Sequence, residues 1–201
     1  MKRIAVFASG RGSNFLALAQ AVKRGFIKAH LALLVTDNPH SQAIKKAGRL
    51  RIDVLIVRRE DFPRKEDFED AIIRRLRLRK IDCIALAGFM RMLSKGFVRK
   101  YKNRIINIHP ALLPAFKGAH AIKDAFDYGA KVTGVTVHFV DEKMDHGPII
   151  LQEALSIRPS DTLASLEARI HRLEHKLYPL ALRLFVQGKL SVKGRKVVRK
   201  G

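Results

Sequence analysis

The sequence predicts an α/β fold: an open, mostly parallel sheet flanked by helices, in a single domain. Three observations carry that prediction. Short apolar runs of strand length alternate with helical stretches along the first half of the chain, the pattern of βα units. The runs within Lys2–Ala8 and Ile81–Ala87 are continuously apolar rather than alternating, as in strands buried on both faces of a parallel sheet. The chain has 201 residues and no internal repeat or linker, a length that suits one domain with a sizeable core.

Taken in order, the Lys2–Ala8 strand runs into the turn Ser9-Gly10-Arg11-Gly12-Ser13-Asn14, and Phe15–Val22 is helical. Strand, glycine turn and helix is the arrangement in which backbone N–H groups and a helix N-terminus can hold a phosphate. The spacing is neither G-x-G-x-x-G nor a Walker loop. A plain connection, with Ser13 or Asn14 as the helix cap, stays open. A strand over His30–Thr36, a helix over Ser41–Gly48 and a strand over Ile52–Val57 continue the alternation. Pro63–Lys80 is an amphipathic helix with Phe68, Ile72, Ile73 and Leu76 on its apolar side. The strand Ile81–Ala87 then leads into Gly88-Phe89-Met90-Arg91-Met92-Leu93, which is either the wall of a pocket for a flat organic ligand or a core turn.

Ser94–Tyr101 is helical, and the next strand, from Arg104, ends in Asn107-Ile108-His109-Pro110. A proline stops the strand there. An amide and an imidazole are left facing the sheet's edge, where open parallel sheets bind ligands. A turn or capping role for the two residues is the bland alternative. After the loop carrying Gly118 and His120 comes a helix over Ala121–Tyr128. Lys131–Val140 alternates, with Thr136 and His138 opposite Val135, Val137 and Phe139, and so reads as a half-buried strand. An acid-rich turn, Asp141–Pro148, precedes the apolar run Ile149–Gln152. Asp161 is the expected N-cap of a long helix ending near Val186, with Gly188 just past it. Residues 1–190 form the domain, and 191–201 are a basic tail that completes a hairpin turning at Gly194.

Composition excludes several classes. No apolar run approaches the roughly 18 residues that span a bilayer, and the N-terminal apolar run is too short for a signal peptide. A cytoplasmic location is therefore expected, with the single cysteine, Cys83, as a buried inert thiol. His171 and His175 share a helix face, but a third zinc ligand and the H-E-x-x-H spacing are missing. No metal is expected. The net charge of +22 would suit a nucleic-acid-binding module, yet the basic residues are dispersed and no aromatics are interleaved in a basic groove. Nucleic acid is therefore an unlikely partner, and long-range attraction of anionic substrates is the expected effect of the charge.

The ordered set Gly12-Ser13-Asn14, Gly88-Phe89-Met90-Arg91, Asn107-x-His109-Pro110-x-Leu112-Leu113-Pro114, Gly118-x-His120 and Gly134–Gln152 with Asp145 closely resembles the phosphoribosylglycinamide formyltransferases of purine biosynthesis. The resemblance runs from residue 1 to about residue 190. It implies a Rossmann-like sheet and formyl transfer from 10-formyltetrahydrofolate, a co-substrate, to the amine of glycinamide ribonucleotide, without a metal. By similarity Asn107 and His109 stabilise the oxyanion of a tetrahedral intermediate. Asp145 supports a charged His109 and collects the amine's proton through water. Gly12, Ser13 and Asn14 match the phosphate turn, Glu174 matches the acid on the ribose, and His171 stands where the family usually has Gln or Lys. Met90, Arg91, Met92, Leu93, Val140 and Asp141 match the folate pocket along with Asn107, and Lys65 stands where many members place an arginine for the folate tail. Gly118, His120, Thr136 and His138 are supporting positions. A monomer or homodimer is expected. The nearest rival is the related transferase domain that formylates methionyl-tRNA, which carries a further domain for tRNA.

Overall fold

A computed structural model describes residues 1–200. Five parallel strands form its centre: β1 (Arg3–Phe7), β2 (His30–Thr36), β3 (Val54–Ile56), β4 (Cys83–Leu86) and β5 (Ile105–His109). Two longer strands, β6 (Val132–Phe139) and β7 (Ile149–Ser156), add antiparallel to β5 and to each other. A hairpin, β8 (Leu190–Lys193) and β9 (Lys196–Arg199), touches β7 at the single register pair Ile149 and Lys196. The order β3-β2-β1-β4-β5-β6-β7-β9-β8 runs outward in both directions from β1. That reversal opens a crevice at the strands' carboxyl ends, the usual ligand position in open sheets.

Alternation along β1 divides the core. Ile4 and Val6 face a layer made by α1 (Ser13–Lys23), α2 (Gln42–Arg49) and α6 (Leu163–Val186), whereas Ala5 and Phe7 face α3 (Lys65–Leu78) and α4 (Lys95–Lys100). A fifth helix, α5 (Ala121–Asp127), lies against α6. Period-two side-chain direction lets one strand serve both layers. Tyr178 of α6 is fully buried, and its hydroxyl lies 2.8 Å from the carbonyl oxygen of Leu86 and 3.0 Å from that of Ile106. It joins α6 to the last residue of β4 and the second residue of β5. No described helix is long and apolar enough to cross a membrane.

Two expectations need correction. The β6 strand is buried on both faces, Thr136 and His138 included, because the Ala111–Leu113 segment folds over the face expected to meet solvent: the Thr136 hydroxyl donates to Ala111 O (2.7 Å) and accepts from Leu113 N–H (3.1 Å). A strand with alternating polarity can be fully covered when its polar side chains find such partners. The N-cap of α6 is Thr162, not Asp161. Thr162 and Ser165 form a reciprocal capping box, while the Asp161 carboxylate accepts from Arg158 N–H and Ser165 Oγ and pairs with Arg169. Two polar residues competed for one cap, and the Thr-x-x-Ser spacing satisfies two N–H groups at once.

Candidate active site

The crevice is a cavity of about 480 Å³ at the carboxyl ends of β1, β4 and β5. Its floor is β5. Asn107 and His109 project to the same side because they are two apart on a strand. The antiparallel partner β6 sets His138 opposite Asn107 and Thr136 opposite His109. His138 Nδ1 lies 2.8 Å from Phe139 O; a carbonyl only accepts, so Nδ1 carries the proton and Nε2 is the acceptor. Burial pushes the His138 pKa down, outweighing its backbone hydrogen bond and the charge of Asp145, which keeps that ring neutral. The neutral Nε2 accepts from Asn107 Nδ2 at 3.2 Å. One N–H of Asn107 is thereby fixed, and the amide's orientation with it.

His109 is 3% exposed. Its Nε2 donates to Phe116 O (2.7 Å), and its Nδ1 lies 3.5 Å from Asp145 Oδ2. The same carboxylate oxygen accepts from Gly118 N–H at 2.9 Å. The 110s loop and the Asp145 turn therefore close on His109 from both sides. Asp145 sits at φ +46°, a left-handed conformation that aspartate tolerates better than most residues. Two residues on, Gly147 leaves no room for a side chain: a Cβ there would meet the Phe139 carbonyl. Asp145 reaches the floor because that crossing is tight.

At one end of the cavity lies the turn after β1. Gly12 is the residue before α1, at φ +66°, and a Cβ on it would run into Ala43 of α2. No side chain caps α1. The capping alternative for Ser13 or Asn14 is thereby removed, and both residues lie in the first turn and line the cavity. The N–H groups of that turn are left facing the space where an anion is stabilised. Lys46 Nζ donates to Arg11 O (2.6 Å) and ties the turn to α2. From α6, Glu174 and His171 complete this end. The buried Glu174 accepts from Asn14 Nδ2 and from His171 Nδ1, both at 2.9 Å. The hydrogen bond to Glu174 raises the His171 pKa, against the opposing effect of burial.

The opposite end is built from loops. Met90, Met92 and Met144 are each more than half exposed at its rim, and Leu93, Val140 and Asp141 continue the wall. Arg91 Nε donates to Asp37 (2.6 Å), which also accepts from Ser9 Oγ (2.5 Å); Ser9 Oγ in turn accepts from Met90 N–H (3.1 Å). Glu69, buried on α3, accepts from Ser94 N–H (2.6 Å) and from its hydroxyl. The structure thus brings together every site residue expected from the sequence except three. Lys65 is the first residue of α3 and does not line the cavity; His120 precedes α5, exposed and outside it; Thr136 lies beneath the floor. Sequence reasoning missed Ser9, Asp37 and Glu69. For Asp37 and Glu69 the signal would have been a carboxylate at an otherwise ordinary strand end or on an apolar helix face, visible only once a partner is known.

Among the described residues no group of His, Cys, Asp and Glu could hold a metal ion. His175, four residues beyond His171, lies instead beside a separate shallow groove with Lys46 and Arg24.

Residues 2–182 match the family model described as formyl transferase. The chain is 48% identical over 183 residues to a phosphoribosylglycinamide formyltransferase of Bacillus subtilis, covering 91% of this chain and 94% of that protein. Among solved structures, glycinamide ribonucleotide transformylase 1 of Symbiobacterium toebii superposes with a TM-score of 0.97 at 39% identity, over 100% of this chain and 95% of that one. The corresponding structure from Geobacillus kaustophilus gives 0.90 at 48% identity, over 92% of this chain and 99% of that one. By sequence and by architecture alike, this chain belongs to the formyl transferase family.

Proposed function

We propose that this chain transfers the formyl group of 10-formyltetrahydrofolate to the amine of glycinamide ribonucleotide. The observation that carries the proposal is the position of Asn107, His109 and Asp145 on the floor between an anion-ready turn and a loop-built apolar wall. The volume of about 480 Å³ lies in the ordinary range for small-molecule sites.

The ribonucleotide's phosphate sits on the first turn of α1, with His171 adding positive charge, and its ribose hydroxyls reach the Glu174 carboxylate. The pterin lies against Leu93, Val140 and Asp141, beneath Arg91 and the two methionines beside it. Lys65 has no part in this arrangement. The folate supplies an activated formyl carbon; this chain's residues orient it and handle charge. As the amine adds, the formyl oxygen becomes negative, and the second N–H of Asn107 is the donor already held in place by His138. His109 donates to the same oxygen by exchanging its bond to the Phe116 carbonyl. Asp145, 3.5 Å from His109, accepts the proton lost by the amine through water; as the intermediate collapses, the bond from the formyl carbon to the folate nitrogen breaks, and that nitrogen takes up a proton and leaves with tetrahydrofolate. Gly118 keeps the carboxylate in place through its N–H.

The enzyme acts as a monomer or homodimer in the cytoplasm, and its positive surface attracts the anionic substrates rather than nucleic acid. A parallel assay with glycinamide ribonucleotide and methionyl-tRNA tests the acceptor. Formylation of the ribonucleotide alone is expected, and in Asp145→Asn kcat falls at least about 10²-fold, the lower end for loss of an acid or base. Transfer to the tRNA alone would refute the acceptor, and near-normal turnover by the variant would refute the role of Asp145.

A further inference from the structure

The C-terminal hairpin lies outside the catalytic arrangement, yet one of its side chains reaches it. Arg195, next to Gly194 at the tip of the β8–β9 hairpin, donates from Nη2 to His146 O at 2.7 Å. Its Nη1 lies 3.2 Å from His146 Nδ1 and 3.1 Å from Nε2. An atom at nearly equal distance from both ring nitrogens, at that range, must stand over the ring's face, because an in-plane approach would collide with the carbon between them. One guanidinium nitrogen therefore lies over the imidazole face, a contact for which this weakly hydrated cation is suited. That face is closed to other groups. The ring's edge remains free, and His146 Nδ1 donates in it to Asp141 Oδ2 at 2.6 Å, while Asp141 Oδ1 accepts from Lys143 N–H at 3.0 Å.

The hairpin is a firm base for such a contact. Leu190, Val192 and Val197 pack against the main core, and β9 joins the sheet beside the start of β7, the strand that follows the Asp141–Pro148 turn. The turn's other outward tie is an ion pair, Arg99 to Glu142 (2.7 Å); Arg195 is exposed as well, and what sets its contact apart is the bond to the His146 carbonyl beside the ring. The Arg195, His146 and Asp141 chain runs from the sheet's far edge to a cavity-lining carboxylate. Asp145 lies in the chain between Asp141 and His146.

We infer that Arg195 is a positioning residue, which clamps the Asp141–Asp145 turn against the folate end of the cavity through His146. The inference rests on the formyl-transfer reading for its kinetic consequence, but the clamp itself is a statement about the turn's stability and can be read without activity. In Arg195→Ala the KM for the formyl donor should rise about 3- to 10-fold, the scale of a contact between directly coupled groups, with the KM for the ribonucleotide unchanged. Arg195→Lys keeps a donor for the His146 carbonyl but loses the second guanidinium nitrogen over the ring, so its donor KM falls between the two. Amide hydrogen exchange at Lys143 and Gly118, whose N–H groups are held by Asp141 and Asp145, should quicken in Arg195→Ala while exchange in β1 and β4 stays as in the wild type. Unchanged exchange at Lys143 and Gly118 would overturn the clamp whatever the activity. Faster exchange in β1 and β4 as well, or equal rises in both KM values, would show general loosening and overturn it too. A wild type without formyl transfer but with the local exchange change would refute the function and leave the clamp standing.

Discussion

The floor of the cavity and its loop-built end are constructed on opposite plans. On the floor, Asn107, His109 and His138 stand on paired strands, and their positions follow from sheet register. Each has a hydrogen-bond partner from the floor or the 110s loop. At the other end the backbone is loop, and its position depends on side chains from distant elements: Glu69 on α3, Asp37 after β2, Arg195 on the hairpin. A register-set group cannot shift without breaking ladder hydrogen bonds, whereas a tied loop gives way once its tie is removed. Damage to the floor should therefore appear in the chemical step, and damage to the ties in the binding of one substrate.

Four measurements test that contrast. The largest effect is expected at the floor: His109→Ala should lower kcat by about 10²- to 10³-fold, as for loss of one oxyanion donor, with each KM changed far less. A loss confined to KM would break the contrast. Next comes Glu69→Ala, which removes the acceptor of two bonds from Ser94. Its unfolding free energy should drop by about 1.5–3 kcal/mol, typical of a bond to a charged group, and its KM for the formyl donor should rise with kcat nearly intact. Denaturant titration and steady-state kinetics check the two halves separately.

The third measurement concerns the nucleotide end. His171 has its pKa raised in the folded protein by Glu174, so the pair stabilises the fold fully below the ordinary imidazole value, and that contribution is lost as pH rises through the raised one. The protonated ring is also the form that favours a phosphate. The KM for the ribonucleotide should climb as pH rises through that window, and His171→Gln should flatten the profile across it. A wild-type profile already flat there would remove His171 from phosphate binding. Smallest is Arg99→Ala, which breaks an exposed pair with Glu142 and should change the donor KM by about twofold or less. A larger effect would mean that this ion pair holds the turn as strongly as Arg195 does.

Much of the site was legible because its residues sit where sequence patterns are strongest. Continuous apolar runs mark β1 and β4, a proline marks the end of β5, and glycines mark the turn before α1 and the crossing at Gly147. The motif order then suffices to bring Asn107, His109, Asp145 and Glu174 to one cavity. What failed had a common cause. Asp161 and Thr162 are both good caps, and only the position of Ser165 in the folded turn decides between them. The alternation in β6 suggested an exposed face because nothing local records that residues 111–113 lie over it.

By itself, the sequence determined the α/β class, the order of the strands' apolar runs and the chemical groups of the floor, since these depend on periodicity and on local backbone preference. Tertiary structure alone decided which nitrogen of His138 carries the proton, how the Asn107 amide is turned, and that Glu69, Asp37 and Arg195 hold the loops. The His138 proton is set by the neighbouring Phe139 carbonyl; the others are contacts between residues from 25 to 54 positions apart, and no local pattern encodes them. They arise only when the sheet's register and the helices on its faces bring a donor within hydrogen-bonding distance of a buried acceptor.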